Sequence, residues 1–348
     1  MARTVLVTGA NGYVGNAVAR SFARAGWITY GLIRSEKAAL SLQTDEIIPV
    51  IGQIDNVENH QSILEQLPPA LNAITSTSES IEDYEGHYRN IVKLLRTLAQ
   101  ASNEVGTRPL VIFSSGCKDY GMGPHYDGQE GLQPHTEESP LNPPAILTPR
   151  ATLSLEIFQH ADLFAPVLVR PTNVFGRSAS YYRGFFEIAA GVAKANKSLV
   201  IPVPANSVCH ALHLDDCGDA YVAIASHPLR NEVEGEIFNI SSSRYETVDE
   251  IAQALVKEYK IKHGVEYVDG LSESETPWPP TLIDFPQWTG SEKLRKVTGW
   301  TEVRPLFSEA VHLYRLSYEA AAQMGHEGIE KIKDRVRAFM GEADLKRK

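Results

Sequence analysis

The chain has 348 residues with 33 basic against 43 acidic side chains, a formal net charge of −10. With no Lys/Arg block longer than the three residues at 346–348, this balance excludes the electrostatic footprint that nucleic acids and anionic membranes select. A composition of 43% hydrophobic and 22% charged residues excludes a largely disordered chain and is typical of a globular protein.

The predicted elements alternate along the first half of the chain. Apolar runs of strand length occur at Thr4–Thr8, Ile28–Ile33, Glu46–Ile51, Ala70–Thr75, Leu110–Ser114 and Val167–Arg170. Segments of helical period lie between them, at Gly12–Ala25, about Val57–Leu67, Asp83–Ala101 and Ile146–Ala161. Strands separated by helices predict an α/β fold, with a doubly wound parallel sheet covered on both faces.

Cysteine content and the uncharged stretches bear on the compartment. The three cysteines are an odd count without metal-ligand spacing, so we expect a reducing compartment and no metal site. The first strand begins too early to leave room for a signal peptide, and the longest uncharged stretch, Ser198–Leu214, contains two prolines. We expect a cytoplasmic protein with neither a membrane nor a nucleic acid as its partner.

A glycine-rich turn links the first predicted strand to the first helix. Its sequence is TGANGYVG, from Thr8 to Gly15. A pyrophosphate can approach backbone N–H groups at a helix N-terminus only where side chains are absent, which this spacing of glycines provides. An ordinary glycine turn is the alternative, but the strand–turn–helix context favours a Rossmann-type dinucleotide site.

The end of the second strand predicts which dinucleotide binds. An NAD site usually places Asp or Glu there, where it accepts a hydrogen bond from the ribose. This chain has Arg34, with Ser35 and Lys37 beside it, a group suited to a 2′-phosphate. We therefore expect NADP(H) rather than NAD(H). Two alternatives remain: Arg34 as a solvated surface cation, and Glu36 serving NAD.

Six ordered motifs resemble those of the extended short-chain dehydrogenase/reductase family, which is of the NAD-dependent epimerase/dehydratase type. Besides the glycine turn they are VIFSSG at 111–116 followed by Tyr120-Gly121, VRPTNVFG at 169–176, HLDD at 213–216, FNI at 238–240 and LRKVTGW at 294–300. The resemblance covers most of the chain. It implies a nucleotide-binding lobe and a smaller C-terminal substrate lobe that takes a small molecule.

The resemblance also implies domain boundaries and cofactor contacts. The nucleotide-binding domain would comprise residues 1–174 plus about 206–240, and the substrate lobe 175–205 and 241–325. A C-terminal segment, 326–348, contains an amphipathic helix at His326–Met340, which we expect to pack on the body. The expected cofactor-binding residues are Gly9, Asn11, Gly12, Tyr13, Val14, Gly15, Arg34, Ser35, Lys37, Gln53, Ile54, Ser114, Pro171, Asn173 and Val174.

The catalytic pair of the family is missing from the sequence. Members carry Tyr-x-x-x-Lys on the helix after strand five, and counting back from Glu156 puts Thr148 and Thr152 at these two positions. None of the fourteen tyrosines has a lysine four residues later. The position of the family's Ser or Thr, four before Tyr120, is Gly116, with Ser115 adjacent. The chain keeps the cofactor apparatus and has lost the usual acid/base apparatus.

Replacement catalytic groups can be sought only in the loops beyond the strand ends. We place Lys118 and Tyr120 first because they stand nearest the end of strand five, and Ser115 as a substitute hydroxyl. The loop from Asp119 to Glu138 is rich in titratable groups, which a solvated surface explains equally well.

The exit of strand six supplies the expected substrate contacts. These are Tyr181, Tyr182 and Arg183, with His213 from the returning segment. Paired tyrosines fit packing between the lobes equally well, and a histidine at this place is more often structural.

Three functional hypotheses follow. The first is an NADP-dependent oxidoreductase acting on a small-molecule carbonyl or alcohol with a non-standard proton donor. The second is a non-redox isomerase, dehydratase or cyclase on the same scaffold, and the third is a catalytically silent NADP-binding regulatory protein. Members of the family commonly dimerise through the helices after strands four and five, so the resemblance allows a homodimer.

Overall fold

The computed structural model describes residues 2–80, 82–123, 125–178, 180–268 and 278–334. The strands in chain order are β1 (Thr4–Thr8), β2 (Ile28–Ile33), β3 (Ile48–Ile51), β4 (Ala73–Ser76), β5 (Leu110–Ser114), β6 (Ala165–Pro171), β7 (Asn173–Phe175), β8 (Leu199–Ile201), β9 (Val208–Cys209), β10 (Ala211–His213), β11 (Ile237–Ile240), β12 (Glu246–Thr247) and β13 (Val265–Tyr267).

The helices alternate with these strands in the first half of the chain. They are α1 (Tyr13–Arg24), α2 (Ala39–Thr44), α3 (His60–Glu65), α4 (Tyr84–Glu104), α5 (Thr148–Leu153), α6 (Arg183–Ala195), α7 (Leu214–Ser226), α8 (Val248–Tyr259), α9 (Pro280–Ile283), α10 (Glu292–Thr298) and α11 (Val311–Gln323). Within the described residues, no helix combines the length and apolarity needed to cross a bilayer.

A seven-stranded parallel sheet forms the centre of the molecule. Its order is β3-β2-β1-β4-β5-β6-β11, and each neighbouring pair is parallel. The chain leaves β1 in one direction towards β2 and β3 and in the other towards β4 and β5. The carboxyl ends of β1 and β4 therefore flank the crevice in which such sheets bind ligands. The predicted doubly wound parallel sheet is confirmed.

Both faces of this sheet are covered, which explains its nearly continuous apolar strands. Along β1 the side chains alternate between two cores: Val5 and Val7 pack in one and Leu6 in the other. A third apolar core lies outside the sheet and joins β8, α6, α8 and α11. Leu294 and Trp300, which fall in the range predicted for the substrate lobe, pack instead into a core of the sheet.

Some predicted bounds differ from the observed ones. The helix predicted over Ile146–Ala161 is a six-residue α-helix, α5, between two 3₁₀ segments. Of the predicted C-terminal helix, residues 327–334 are helical, and Ile329 is buried. His326 is described but not helical, and residues 335–340, with Val336 and Phe339, lie outside the described part. The homodimer stays a prediction.

Candidate dinucleotide site and catalytic cleft

The turn between β1 and α1 forms a cradle without side chains. Gly9 has a φ of +64°, and its carbonyl oxygen accepts a hydrogen bond from Gly12 N at 2.8 Å. A Cβ on Gly15 would lie 2.2 Å from that oxygen, so only glycine fits there. No side chain caps the helix at Gly12, and its first turn contains no acidic residue. The free N–H groups at this helix end can hold a phosphate anion.

The other predicted residues of this turn have distinct surroundings. Asn11 is half-buried within the turn itself, and Val14 packs against a core of the sheet. Tyr13 donates its hydroxyl to the carbonyl oxygen of Gly176, at 2.5 Å. Burial raises the pKa of Tyr13, so this hydroxyl stays protonated. The aromatic residue therefore ties the glycine turn to the segment after β7.

The predicted 2′-phosphate group lies at the carboxyl end of β2, next to β1 in the sheet. Arg34, Ser35, Glu36 and Lys37 are all exposed. Among the residues that the structure describes, neither Arg34 nor Lys37 takes part in a salt bridge of the kind formed elsewhere in the chain. Both cations are thus accessible to an anionic ligand. Gln53 is exposed and Ile54 half-buried just beyond β3.

The end of β4 adds polar groups that sequence reasoning missed. Thr77 donates its hydroxyl to the carbonyl oxygen of Thr8 at 2.5 Å, and Ser78 lies 3.2 Å from the Thr8 hydroxyl. His87 reaches Ser78 with one ring nitrogen and Asp55 with the other, both at 3.3 Å. The run of Ser and Thr residues at 75–78 was the feature of the sequence from which these groups could have been predicted. It supplies hydrogen-bonding groups at the switch point of the sheet.

The three predicted residues of β6 and β7 stand at the far side of this crevice. Pro171 ends β6, and Asn173 and Val174 lie in β7, which pairs with β10. All three are half-buried. Ser114, at the end of β5, shares a 2.8 Å hydrogen bond with the hydroxyl of Tyr221. Its hydroxyl is therefore held by a buried tyrosine of α7.

A charged network occupies the place beside Gly116. Arg150, from α5, donates to one carboxylate oxygen of Asp119 through Nε at 3.0 Å and Nη2 at 2.7 Å. Its Nη1 lies 3.4 Å from Glu79. A Cβ on Gly116 would stand 3.3 Å from Nη2 of Arg150, so the guanidinium fills the space beside this residue. Ser115 also donates its hydroxyl to Asp119.

Sequence reasoning missed Arg150 because its carboxylate partners lie 31 and 71 residues away. Thr148 and Thr152, at the counted Tyr and Lys positions, are both exposed on α5. The Thr152 hydroxyl turns back to the carbonyl oxygen of Thr148 at 2.9 Å. The side chain of this short helix that lies beside Gly116 and Asp119 is therefore Arg150, which is 11% exposed.

Lys118 lies in the 3₁₀ turn Cys117–Tyr120, directly after β5. Its ammonium nitrogen lies 3.7 Å from the ring centroid of Phe285, a residue of the segment before α10. Burial lowers the pKa of Lys118 to about 7, and the charge of Arg150 acts in the same direction. A lysine in this state can both accept and release a proton near neutral pH.

Tyr120, another of the predicted catalytic residues, is enclosed by its neighbours. It is 2% exposed, donates its hydroxyl to Asn239 at 2.7 Å and accepts from Arg170 at 3.1 Å. Burial raises the pKa of its hydroxyl. These contacts tie Tyr120 to β6 and β11, and its catalytic role stays a prediction.

The long loop after β5 is tied down at several points. Asp127 accepts from the hydroxyl of Tyr245 at 2.6 Å, and Glu137 accepts from the backbone of Asn239 at 2.8 Å. Gln287 donates to the carbonyl oxygens of Cys117 and Gly121, each at 2.8 Å. Many of its titratable groups therefore hold the loop against neighbouring segments.

The predicted substrate residues have mainly packing roles. Tyr182 is 2% exposed and packs edge-on against Phe307 at 4.9 Å, within the third core. Arg183 pairs with Glu187 one turn along α6, and Tyr181 is half-buried. His213 caps α7 by accepting from Asp215 N at 3.1 Å. The packing alternative explains the enclosed Tyr182, and the expected substrate contacts stay predictions.

Asp215 forms a buried charge cluster that the sequence did not reveal. Its carboxylate accepts from Arg177 at 2.7 and 2.6 Å, from Arg20 at 2.9 Å and from Arg304 at 3.1 Å. Burial by itself would raise the pKa of Asp215, but the hydrogen bonds and charge of Arg177 hold it at about 2. This carboxylate joins α1, α7, the exit of β7 and the segment before α11.

Comparisons with known proteins agree with this geometry. A curated relative, an uncharacterized protein of Schizosaccharomyces pombe, is 26% identical over 261 residues, covering 74% of this chain and 81% of its own length.

Two solved structures share the fold. The dTDP-glucose 4,6-dehydratase of Bacillus anthracis in complex with NAD is 18% identical, has a TM-score of 0.68, and covers 95% of this chain and 99% of that one. RMD of Pseudomonas aeruginosa complexed with NADPH is 16% identical with a TM-score of 0.65, covering 92% and 98%. The family model for the NAD dependent epimerase/dehydratase family matches residues 5–241. The chain therefore belongs to the NAD dependent epimerase/dehydratase family.

Proposed function

We propose that this protein is an NADP-dependent oxidoreductase that acts on the carbonyl or alcohol of a small molecule, with Lys118 as its proton-transfer residue. The observation that carries the proposal is the position of the Lys118 amine, beyond the carboxyl end of β5 and over the ring of Phe285. Active sites of open α/β sheets form beyond these strand ends.

The surroundings of the glycine turn fit a nicotinamide dinucleotide. The cradle of Gly9, Gly12 and Gly15 would hold the pyrophosphate, because a Cβ at Gly15 would fill it. The exposed cations Arg34 and Lys37 support NADP over NAD. When bound, this cofactor supplies hydride transfer.

Lys118 is suited to the proton transfer that the missing tyrosine and lysine would otherwise perform. A general acid or base works best when its pKa lies near the working pH, and burial lowers the pKa of Lys118 to about 7. In alcohol oxidation its neutral amine would accept the hydroxyl proton of the substrate. In carbonyl reduction its ammonium would return a proton to the carbonyl oxygen.

Arg150 supports the same reaction through its position. Its guanidinium stands beside Gly116, where relatives have a hydroxyl side chain that orients the substrate oxygen. Three of its five N–H groups are used by Asp119 and Glu79. A remaining N–H can donate to a carbonyl oxygen and stabilise the negative charge that develops there.

The same arginine favours a second candidate, a catalytically silent NADP-binding protein. Its ion pairs with Asp119 and Glu79 compensate its charge without any substrate. Family membership alone would also fit a non-redox isomerase or dehydratase. The proposed oxidoreductase differs from both in that it consumes nicotinamide cofactor.

The test combines dinucleotide titration with a panel of carbonyl substrates followed at the absorbance of NADPH. We expect NADPH to bind more tightly than NADH, and Lys118→Met to lower kcat by about 100-fold or more without weakening NADPH binding. Lys194→Met, on the exposed surface of α6, is the matched control and should leave kcat unchanged. Tight NADPH binding without net NADPH consumption on any substrate would contradict the proposed reaction and favour the silent protein or a non-redox enzyme.

A further inference from the structure

The helix at residues 327–334 contacts the glycine turn. Its residue Ile329 is 5% exposed and packs with Ala321 of α11 in a small apolar cluster. Tyr13, the first residue of α1, packs against the same cluster, with Tyr318 and Ile332 at its edge. The C-terminal part of the chain thus covers the side chain that begins the dinucleotide-binding helix.

Tyr13 is held from two sides by these contacts. Its ring rests on the cluster around Ile329, while its hydroxyl donates to the carbonyl oxygen of Gly176 at 2.5 Å. Its backbone belongs to the first turn of α1, where no side chain caps the helix. Fixing the ring therefore also fixes N–H groups that would bind a pyrophosphate.

We propose that the helix at 327–334 is part of the dinucleotide site: its apolar face holds Tyr13 in the phosphate-binding conformation. The proposal rests on the dinucleotide site of the proposed function. It makes the helix a determinant of the affinity for dinucleotides.

The apolar contact is tested with Ile329→Ser, with Met324→Ser, whose parent side chain is 78% exposed, as the matched control. The affinities for NADPH and NADH are measured by fluorescence titration of the purified full-length protein. We expect Ile329→Ser to weaken both by a similar factor, about three- to tenfold, because both dinucleotides share the pyrophosphate. A chain that ends at Gly325 should lose at least as much affinity. Unchanged or tighter binding in both variants would overturn the proposal.

These titrations separate this proposal from the proposed reaction. Parent protein that binds neither dinucleotide would refute both, because the shared site would not exist. Parent protein that binds NADPH but turns over no substrate refutes only the reaction, since the helix is tested by binding.

Discussion

Replacing Gly15 by alanine perturbs the dinucleotide cradle with a single methyl group. The new Cβ would lie 2.2 Å from the carbonyl oxygen of Gly9 and 2.6 Å from the hydroxyl of Thr77. Both partners are held in place: the Gly9 oxygen accepts from Gly12 N, and the Thr77 hydroxyl donates to Thr8 O. The Gly9 backbone would have to move by about 1 Å to relieve the contact.

Such a movement has two measurable costs. Overpacking of a tightly packed site destabilises a protein by about 1–3 kcal/mol, which thermal unfolding followed by circular dichroism can detect. A shift of about 1 Å also takes a backbone N–H out of hydrogen-bonding distance of a phosphate oxygen, so we expect NADPH affinity to fall by about tenfold or more.

Gly191 provides the matched control in α6. It is exposed, and a Cβ there would meet no atom within 4 Å. Gly191→Ala should therefore raise stability by about 0.5–1 kcal/mol through helix propensity and leave NADPH binding unchanged. If Gly15→Ala proves as stable as the parent and binds NADPH equally well, the geometry of the cradle argued above is wrong.

Two further predictions concern buried charge. Lys118→Met should raise stability by about 2 kcal/mol below pH 7, because the pKa of Lys118 falls from 10.5 in the unfolded chain to about 7 in the folded protein. This gain in stability should shrink as the pH rises from 7 to 10.5. A gain in melting temperature that does not change with pH would contradict the prediction. Asp215→Asn should lower stability at neutral pH by about 3 kcal/mol, because three arginines lose their shared buried carboxylate. Since the pKa of Asp215 is lowered to about 2, the parent protein should lose its extra stability over the variant between about pH 4 and pH 2. Plots of stability against pH that stay parallel for parent and variant down to pH 2 would refute the role of this charge.

The fold was largely predictable because its signals are local. Three strands, β1, β2 and β5, have the bounds that their apolar runs predict. The seventh strand of the sheet, β11, contains the FNI motif at 238–240. Helix ends were predicted less well, as at α5, where 3₁₀ segments flank a short α-helix.

The candidate catalytic site was predictable only in part. Lys118 follows β5 directly, so its position could be expected from the strand end alone. The partners of Tyr120 could not be expected from the sequence, because Asn239 lies 119 residues away along the chain and meets Tyr120 only in the folded sheet. A separation of 31 residues along the chain likewise concealed the ion pair between Arg150 and Asp119.

The sequence by itself determined three features. The class of fold follows from short-range periodicity, and the glycine cradle follows from residue size in one turn. The absence of a Tyr-x-x-x-Lys pair can be read directly from the order of the residues. Only the tertiary structure decided which side chains meet around β5. It also brought the C-terminal helix onto Tyr13 and gathered three arginines around Asp215. Such contacts depend on how distant segments pack, because burial and charge compensation arise only when the chain is folded.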